Sequence, residues 1–228
     1  MKQSIVFLLV ALLGGNLYSQ DMTPLVRKLK AKLDQVNDYE AEGKMKTDVA
    51  FIKAPIGRVK VFYKKPNKFR LKKDGGISLL PKGGVSVNMN SIFTISDFAA
   101  IDAGEALVNG THTRIVKILP SDENSDIVLT TMYIDEASLL VRKSTVTTRE
   151  NGTYTIEMNY GKFAQYGLPD KVIFSFNTKN YSLPKGITLE FDDDKPAETE
   201  KLKNRKGRVE ITYSNYTINK GIGDEVFR

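Results

Sequence analysis

YEAEGKMKTDVAF, residues 39–51, decides the fold. Its odd positions are Tyr39, Ala41, Gly43, Met45, Thr47, Val49 and Phe51; its even positions through 48 are Glu40, Glu42, Lys44, Lys46 and Asp48. Successive side chains of a strand point to opposite faces, so this stretch predicts a strand with one dry and one charged face. The same period returns in Val59, Val61 and Tyr63 against Arg58, Lys60 and Lys64. It recurs in Tyr154, Ile156, Met158 and Tyr160, then in Val172, Phe174 and Phe176, and in Val209, Ile211 and Tyr213. Asp74-Gly75-Gly76, Asn109-Gly110, Asn151-Gly152 and Leu168-Pro169-Asp170 are reversal points between such runs. Roughly ten strands joined mostly by short turns predict one large, strongly bent antiparallel sheet.

A single sheet needs its dry face covered. Residues 23–36, TPLVRKLKAKLDQV, supply the one amphipathic helix: Leu25, Val26, Leu29, Leu33 and Val36 form a stripe, with Arg27, Lys28, Lys30 and Lys32 elsewhere. Thr23 is the expected cap, and Pro24 fits the first turn, where its missing N–H costs nothing. Segment 74–106 is expected to be irregular and to contribute a lid. One helix and one lid are sparse cover, so a deep apolar concavity is expected, with a closed and filled core as the alternative.

FYKKPNKFRLKK, residues 62–73, holds six Lys and Arg, three aromatics and no acid. Such interleaving is what a single-strand nucleic-acid binder uses. Alternation gives another reading: Lys68, Arg70 and Lys72 fall on one face and Phe69 and Leu71 on the other, with Pro66-Asn67 as the turn. The charges are then the solvated face of a hairpin and the aromatics its lining. The same geometry also allows Lys64, Lys65, Lys68, Arg70 and Lys72 to dock on an anionic membrane or an acidic partner.

The start of the chain bears on the compartment. MKQSIVFLLVALLGGNLYSQ has Lys2, an apolar run from Ile5 to Leu13, a Gly14-Gly15 break and a small residue at Ser19. This reads as a secretory signal over residues 1–19, with a run too short to span a bilayer. Residues 20–228 are expected to be a single domain. The chain has no cysteine, so neither disulfides nor a lipid anchor on cysteine is expected. An exported, disulfide-free chain fits a bacterial periplasm, where nucleic acid is scarce. The net charge of +7 is a weak pointer to anionic lipid. FDDDKPAETEKLKNRKG, residues 191–207, reads as a long charged loop.

Catalytic patterns are missing. His112 is the only histidine, in NGTHTR, and no G-x-S-x-G elbow accompanies it. With no cysteine and no second histidine, zinc is not expected. Asp192-Asp193-Asp194 lacks the EF-hand spacing and reads as solvated. KDGG and PKGG are turns, not phosphate cradles. The expectation is a protein that is not an enzyme and needs no metal or cofactor.

The helix leading into DYEAEGKMK, the hairpin FYKKPNKFRLK, the entry YGLPDKVIF and the closing YTINKGIGDEVF together resemble the LolA/LolB-type lipoprotein-carrier superfamily, especially exported members from Bacteroidetes-like bacteria. The resemblance covers nearly the whole mature chain. It implies a mainly β fold with minor α: a strongly curved antiparallel half-barrel with an N-terminal helix and a lid segment over the concave face. It implies a periplasmic carrier that binds acyl chains of lipoproteins or lipids and transfers them towards the outer membrane. Release and acceptor proteins of the inner and outer membranes would be its partners, with transient membrane contact, and it would act as a monomer. Asp74-Gly75-Gly76 is followed by ISLLPKGG, without the aromatic pair usual in the carriers, which leaves the cargo open. The apolar alternation supplies the expected lining: Tyr39, Met45, Val49, Phe51, Val61, Tyr63, Phe69, Leu71, Ile156, Met158, Phe174 and Phe176. Ordinary core packing is the alternative role for each. The alternative function is an envelope-stress regulatory or scaffolding module of the same fold that binds a protein partner.

Overall fold

The computed structural model describes residues 20–48, 56–73, 97–150, 152–177 and 206–227. The signal segment 1–19, Val49, Phe51, the turns at 74–76 and Asn151, the stretch 77–96 and most of the charged loop, Asp192–Asp194 included, lie outside the described residues.

Ten strands form one antiparallel sheet: β1 (Asp38–Asp48), β2 (Gly57–Lys64), β3 (Lys68–Lys73), β4 (Phe98–Val108), β5 (Thr111–Pro120), β6 (Ile127–Asp135), β7 (Leu140–Thr148), β8 (Gly152–Asn159), β9 (Lys171–Asn177) and β10 (Lys206–Ile218). Their spatial order is β3-β2-β1-β10-β9-β8-β7-β6-β5-β4. Among the described strands β3 and β4 follow one another in the chain yet occupy opposite edges, and the sheet is not closed into a barrel.

β1 shows the predicted alternation, with Tyr39, Ala41, Gly43, Met45 and Thr47 buried and Glu42, Lys44, Lys46 and Asp48 exposed. Asn109 and Gly110 both have positive φ, 50° and 79°, and join β4 to β5 as a tight hairpin turn of the kind Asn-Gly pairs favour. Among the described residues no helix is long and apolar enough to cross a membrane.

Helix α1 (Thr23–Leu33) shows that the sheet is strongly curved. At its start Met22 N–H donates to the Ala100 carbonyl at 2.9 Å, and Asp102 N–H to that of Gln20 at 3.2 Å, tying it to β4. Just past its end, Lys65 N–H donates to the Asn37 carbonyl at 2.9 Å, tying it to the β2–β3 turn. β2 and β4 are eight strand spacings apart in the sheet order, about 38 Å if it were flat. An 11-residue helix is only about 17 Å long. The sheet therefore curls around α1, whose Val26, Leu29 and Leu33 are buried in the same cluster as the strand side chains. At the helix end Leu33 approaches so closely that a Cβ on Gly167 would lie 2.6 Å from its Cδ2. Gly167 also has φ 68°, so glycine is required there twice over.

Four expectations need correction. Thr23 does not cap α1: it is the first helical residue, and its own N–H donates to Asp21 Oδ1 at 2.9 Å. The helix also ends at Leu33, although Val36 beyond it is buried. Within the segment read as irregular, Phe98–Val108 is the edge strand β4. A register shift between Asp102 and Glu105 breaks its alternation, which hides the period of two. The charged loop is shorter at its end than expected, because β10 already begins at Lys206.

Candidate functional site

Cross-strand partners share a face, so the register puts the described members of the predicted lining on the same side of the sheet as α1; Val49 and Phe51 lie outside the described residues. Tyr39 pairs with Tyr63, Val61 with Leu71, Tyr63 with Phe69, Ile156 with Phe174 and Tyr154 with Phe176. Tyr39, Met45, Val61, Tyr63, Ile156, Met158, Phe174 and Phe176 all belong to one buried cluster, and Phe69 and Leu71 pack against it half-buried. The face is filled. Met45, Val61, Tyr63, Met132, Ile134, Met158 and Val26 each keep no more than 1 % of their exposure. Of the two possibilities left open by composition, the described residues form the packed core, with α1 as its plug.

One end of this face is closed by aromatics. Tyr216 sits 5.4 Å from Tyr39, 5.1 Å from Tyr213 and 4.9 Å from Phe163, centroid to centroid, and Tyr39 lies 5.3 Å from Tyr63. The Tyr216 hydroxyl donates to the Pro169 carbonyl at 2.7 Å, anchoring the 160–170 segment beneath α1. Burial pushes the Tyr39, Tyr213 and Tyr216 phenols upward, with neighbouring tyrosines adding to the rise at Tyr39 and Tyr216. These phenols stay neutral and serve as packing and anchors. Toward the other end, Tyr154, Phe174 and Phe176 form a second run at 5.2 and 5.4 Å.

Polar contacts hold the plug. Lys32 Nζ donates to the Ser138 carbonyl at 2.7 Å, in the β6–β7 turn. Burial lowers the Lys32 ammonium, against the pull of Asp135. Asp135 holds that turn through Arg142 Nη2 at 2.7 Å and Ser138 N–H at 3.2 Å. Burial alone would raise the Asp135 carboxyl, but these hydrogen bonds outweigh it and leave it below the ordinary value. At the β4 edge Arg114 meets Asp102, Glu105 and Glu136 at 3.4, 2.9 and 3.5 Å.

The basic hairpin is engaged by the chain itself. Lys64 Nζ meets Asp224 Oδ1 at 2.7 Å and the Ile222 carbonyl at 2.8 Å. Lys68 meets Asp224 Oδ2 at 2.7 Å, and Arg70 Nη1 donates to the Val226 carbonyl at 2.9 Å. Lys65 donates to the Asp34 carbonyl at the end of α1. The hydrogen bonds from Lys64 and Lys68 hold the Asp224 carboxyl at about 2. This 3-10 turn, Asp224–Phe227, packs on β3.

Phe62 corrects the reading of every hairpin aromatic as lining. It pairs with Arg70 and Glu40 on the charged side and is nonetheless buried, with Lys72 Nζ 5.3 Å from its ring centre. A buried aromatic on the convex face is a signal that alternation does not give, because its position in the strand assigns it to the charged side. His112 is an exposed β5 residue opposite Leu107.

No family model matches the sequence, and no curated protein sequence matches it. Solved structures do share the fold. A domain described as an outer membrane lipoprotein-sorting protein from Vibrio parahaemolyticus matches with TM-score 0.53 at 12% identity, over 90% of this chain and 95% of that one. A DUF1329 family protein from Desulfovibrio piger matches with TM-score 0.57 at 12% identity, over 92% and 98%. A LolA superfamily protein from Nitrosomonas europaea matches with TM-score 0.51 at 10% identity, over 89% and 96%. The chain thus has the half-barrel fold of LolA-superfamily and lipoprotein-sorting structures.

Proposed function

We propose that this chain is a periplasmic carrier that takes acyl chains of lipoproteins or lipids onto its concave face and passes them towards the outer membrane. In this reading residues 1–19 are removed on export and residues 20–228 form the carrier. One observation carries it: among the described residues, a ten-stranded apolar face is covered by one short amphipathic helix. Met22, Val26, Leu29 and Leu33 are the buried residues of that cover and of the position just before it. At roughly 1.5–3 kcal/mol each, their burial contributes about 6–12 kcal/mol. An acyl chain that buries about ten methylenes gains about 8 kcal/mol, at ~0.8 kcal/mol each. The two are comparable, so a chain can replace the helix and the helix can expel the chain, which is what exchange between donor and acceptor proteins requires.

Tyr39, Met45, Val49, Phe51, Val61, Tyr63, Phe69, Leu71, Ile156, Met158, Phe174 and Phe176 are the proposed lining. Lys64, Lys65, Lys68, Arg70 and Lys72 are the proposed docking set, available once the Asp224 turn lets go. Native mass spectrometry after gentle purification should show bound lipid, and delipidated protein should bind a fluorescent fatty acid. Failure of both removes the reading. The filled core favours a second one, a scaffolding or regulatory module that binds a protein partner through its convex face or an open edge. That version retains one stoichiometric protein and no lipid in a pull-down.

A further inference from the structure

Two hydroxyls interrupt the apolar concave wall. Thr130 pairs with Ile118 on β5 and Val146 on β7, and Ser144 pairs with Met132 on β6 and Ile156 on β8. All four partners belong to the buried cluster, so both hydroxyl-bearing residues face the concave side. Each residue is 0% exposed, and neither Thr130 Oγ1 nor Ser144 Oγ has a hydrogen-bond partner. The register makes them diagonal neighbours, one step apart on adjacent strands.

A buried hydroxyl without a partner is costly, and valine and alanine would fill these positions without that cost. Their neighbours along the same face, Val146, Met132 and Ile134, are wholly apolar and need no such polar company. Each hydroxyl can donate one hydrogen bond and accept others. Neither cation nor acid stands among the four cross-strand partners, so what they offer is a pair of neutral donors in a dry apolar surround. The matching ligand feature is an uncharged acceptor attached to hydrocarbon. An ester carbonyl at the head of an acyl chain has that character, and a diacylated glycerol carries two of them on adjacent carbons, to match two hydroxyls on adjacent strands.

We infer that Thr130 and Ser144 form a polar subsite in the concave wall that donates hydrogen bonds to the ester carbonyls of an acylated glycerol. The inference rests on the carrier reading and narrows it. In the unloaded protein both hydroxyls are buried within the packed face and unsatisfied. When acyl chains displace the helix, the carbonyls satisfy them. The subsite thus makes the loaded state better satisfied than the empty one and selects ester-linked lipid over plain hydrocarbon.

The test uses the delipidated full chain and two lipids of equal chain length, a diacylglycerol and its dialkyl-ether analogue, which lacks the carbonyls. Wild type should bind the ester lipid about tenfold more tightly, the effect of one or two such hydrogen bonds. The double variant Thr130→Val, Ser144→Ala should bind both lipids with the affinity wild type has for the ether. Its thermal midpoint without lipid should equal or exceed that of wild type, because two unsatisfied groups have been removed. Equal binding of ester and ether by wild type overturns the subsite while leaving the carrier intact, and assigns the hydroxyls to a buried water. So does a variant that keeps the ester preference, or one that melts lower without lipid. Binding of neither lipid by wild type instead overturns the carrier reading itself.

Discussion

If the helix must leave the sheet for cargo to enter, fastening it down should abolish binding. Asp21 and Ile101 face each other across an isolated antiparallel bridge. The flanking bonds, Met22 N–H to Ala100 and Asp102 N–H to Gln20, mark it as a non-hydrogen-bonded pair. Such pairs have Cα atoms about 4.5 Å apart, within disulfide range. The chain has no cysteine of its own, so Asp21→Cys with Ile101→Cys can form only this link. It closes a loop of about 80 residues (101 minus 21). Loop entropy alone then predicts about 4.5 kcal/mol of stabilisation at 25 °C. For a chain of this size, and allowing for the smaller gains engineered links deliver, the thermal midpoint should rise by about 5–15 °C. The reduced dithiol is the control, since it carries the same loss of the Asp21 bond to Thr23. With its start fixed to β4 and its end continuous with β1, α1 cannot leave the concave face. Titration with a fluorescent fatty acid should show binding in the reduced form, loss on oxidation and recovery on reduction. Equal binding by oxidised and reduced protein would refute the plug mechanism.

Truncating the plug should act in the opposite sense. Leu29→Ala removes a fully buried side chain, costing about 2–5 kcal/mol of stability, while faster uptake of the fluorescent lipid in stopped flow shows the plug loosened; unchanged uptake argues against α1 as the barrier. Tyr216→Phe removes the bond to Pro169 and should lower stability by about 1 kcal/mol in urea denaturation, with no change at all placing no weight on that anchor. Asp224 has a depressed carboxyl, so its latch is fully present above the ordinary value of 3.8 and is lost as pH falls through about 2. Its carboxyl carbon resonance should titrate near 2, and a midpoint at 3.8 would contradict the ion pairs. Asp224→Asn should release Lys64 and Lys68 and strengthen co-sedimentation with anionic vesicles at low salt, by up to about 1 kcal/mol per freed charge, fading as salt rises. Vesicle binding indistinguishable from wild type would end the docking role.

Strand periodicity made the inner face legible. Tyr39 to Thr47, Val59 to Tyr63, Ile156 to Met158 and Phe174 to Phe176 fall on one face because burial and backbone period coincide there. Asn109-Gly110 gave its hairpin because the turn needs two positive φ values. β4 was illegible for the converse reason: a bulge shifts its phase, and an edge strand buries too little to show a dry face. The cap was misread because Asp21, two residues before Thr23, already satisfies the helix start. The occupied hairpin and the unsatisfied hydroxyls escaped notice on other grounds. Nothing near residues 62–73 announces Asp224, and a Thr or Ser inside an alternating strand carries no mark of having lost its partner.

The strand order has a consequence for how the chain is made. β10 joins the β1–β3 group to the β4–β9 meander, and it is the last strand in sequence. Tyr39 pairs with Ile218 and Asp48 with Arg208, 179 and 160 positions away (218 minus 39, 208 minus 48). Closing such long loops is entropically slow, which places folding toward the millisecond-to-second end of the range for single domains. While the polypeptide emerges, its first three strands have no partner to complete the sheet. The β1–β3 group therefore has no place in the sheet until the final strand is synthesised, whereas the β4–β9 meander can pair as it emerges.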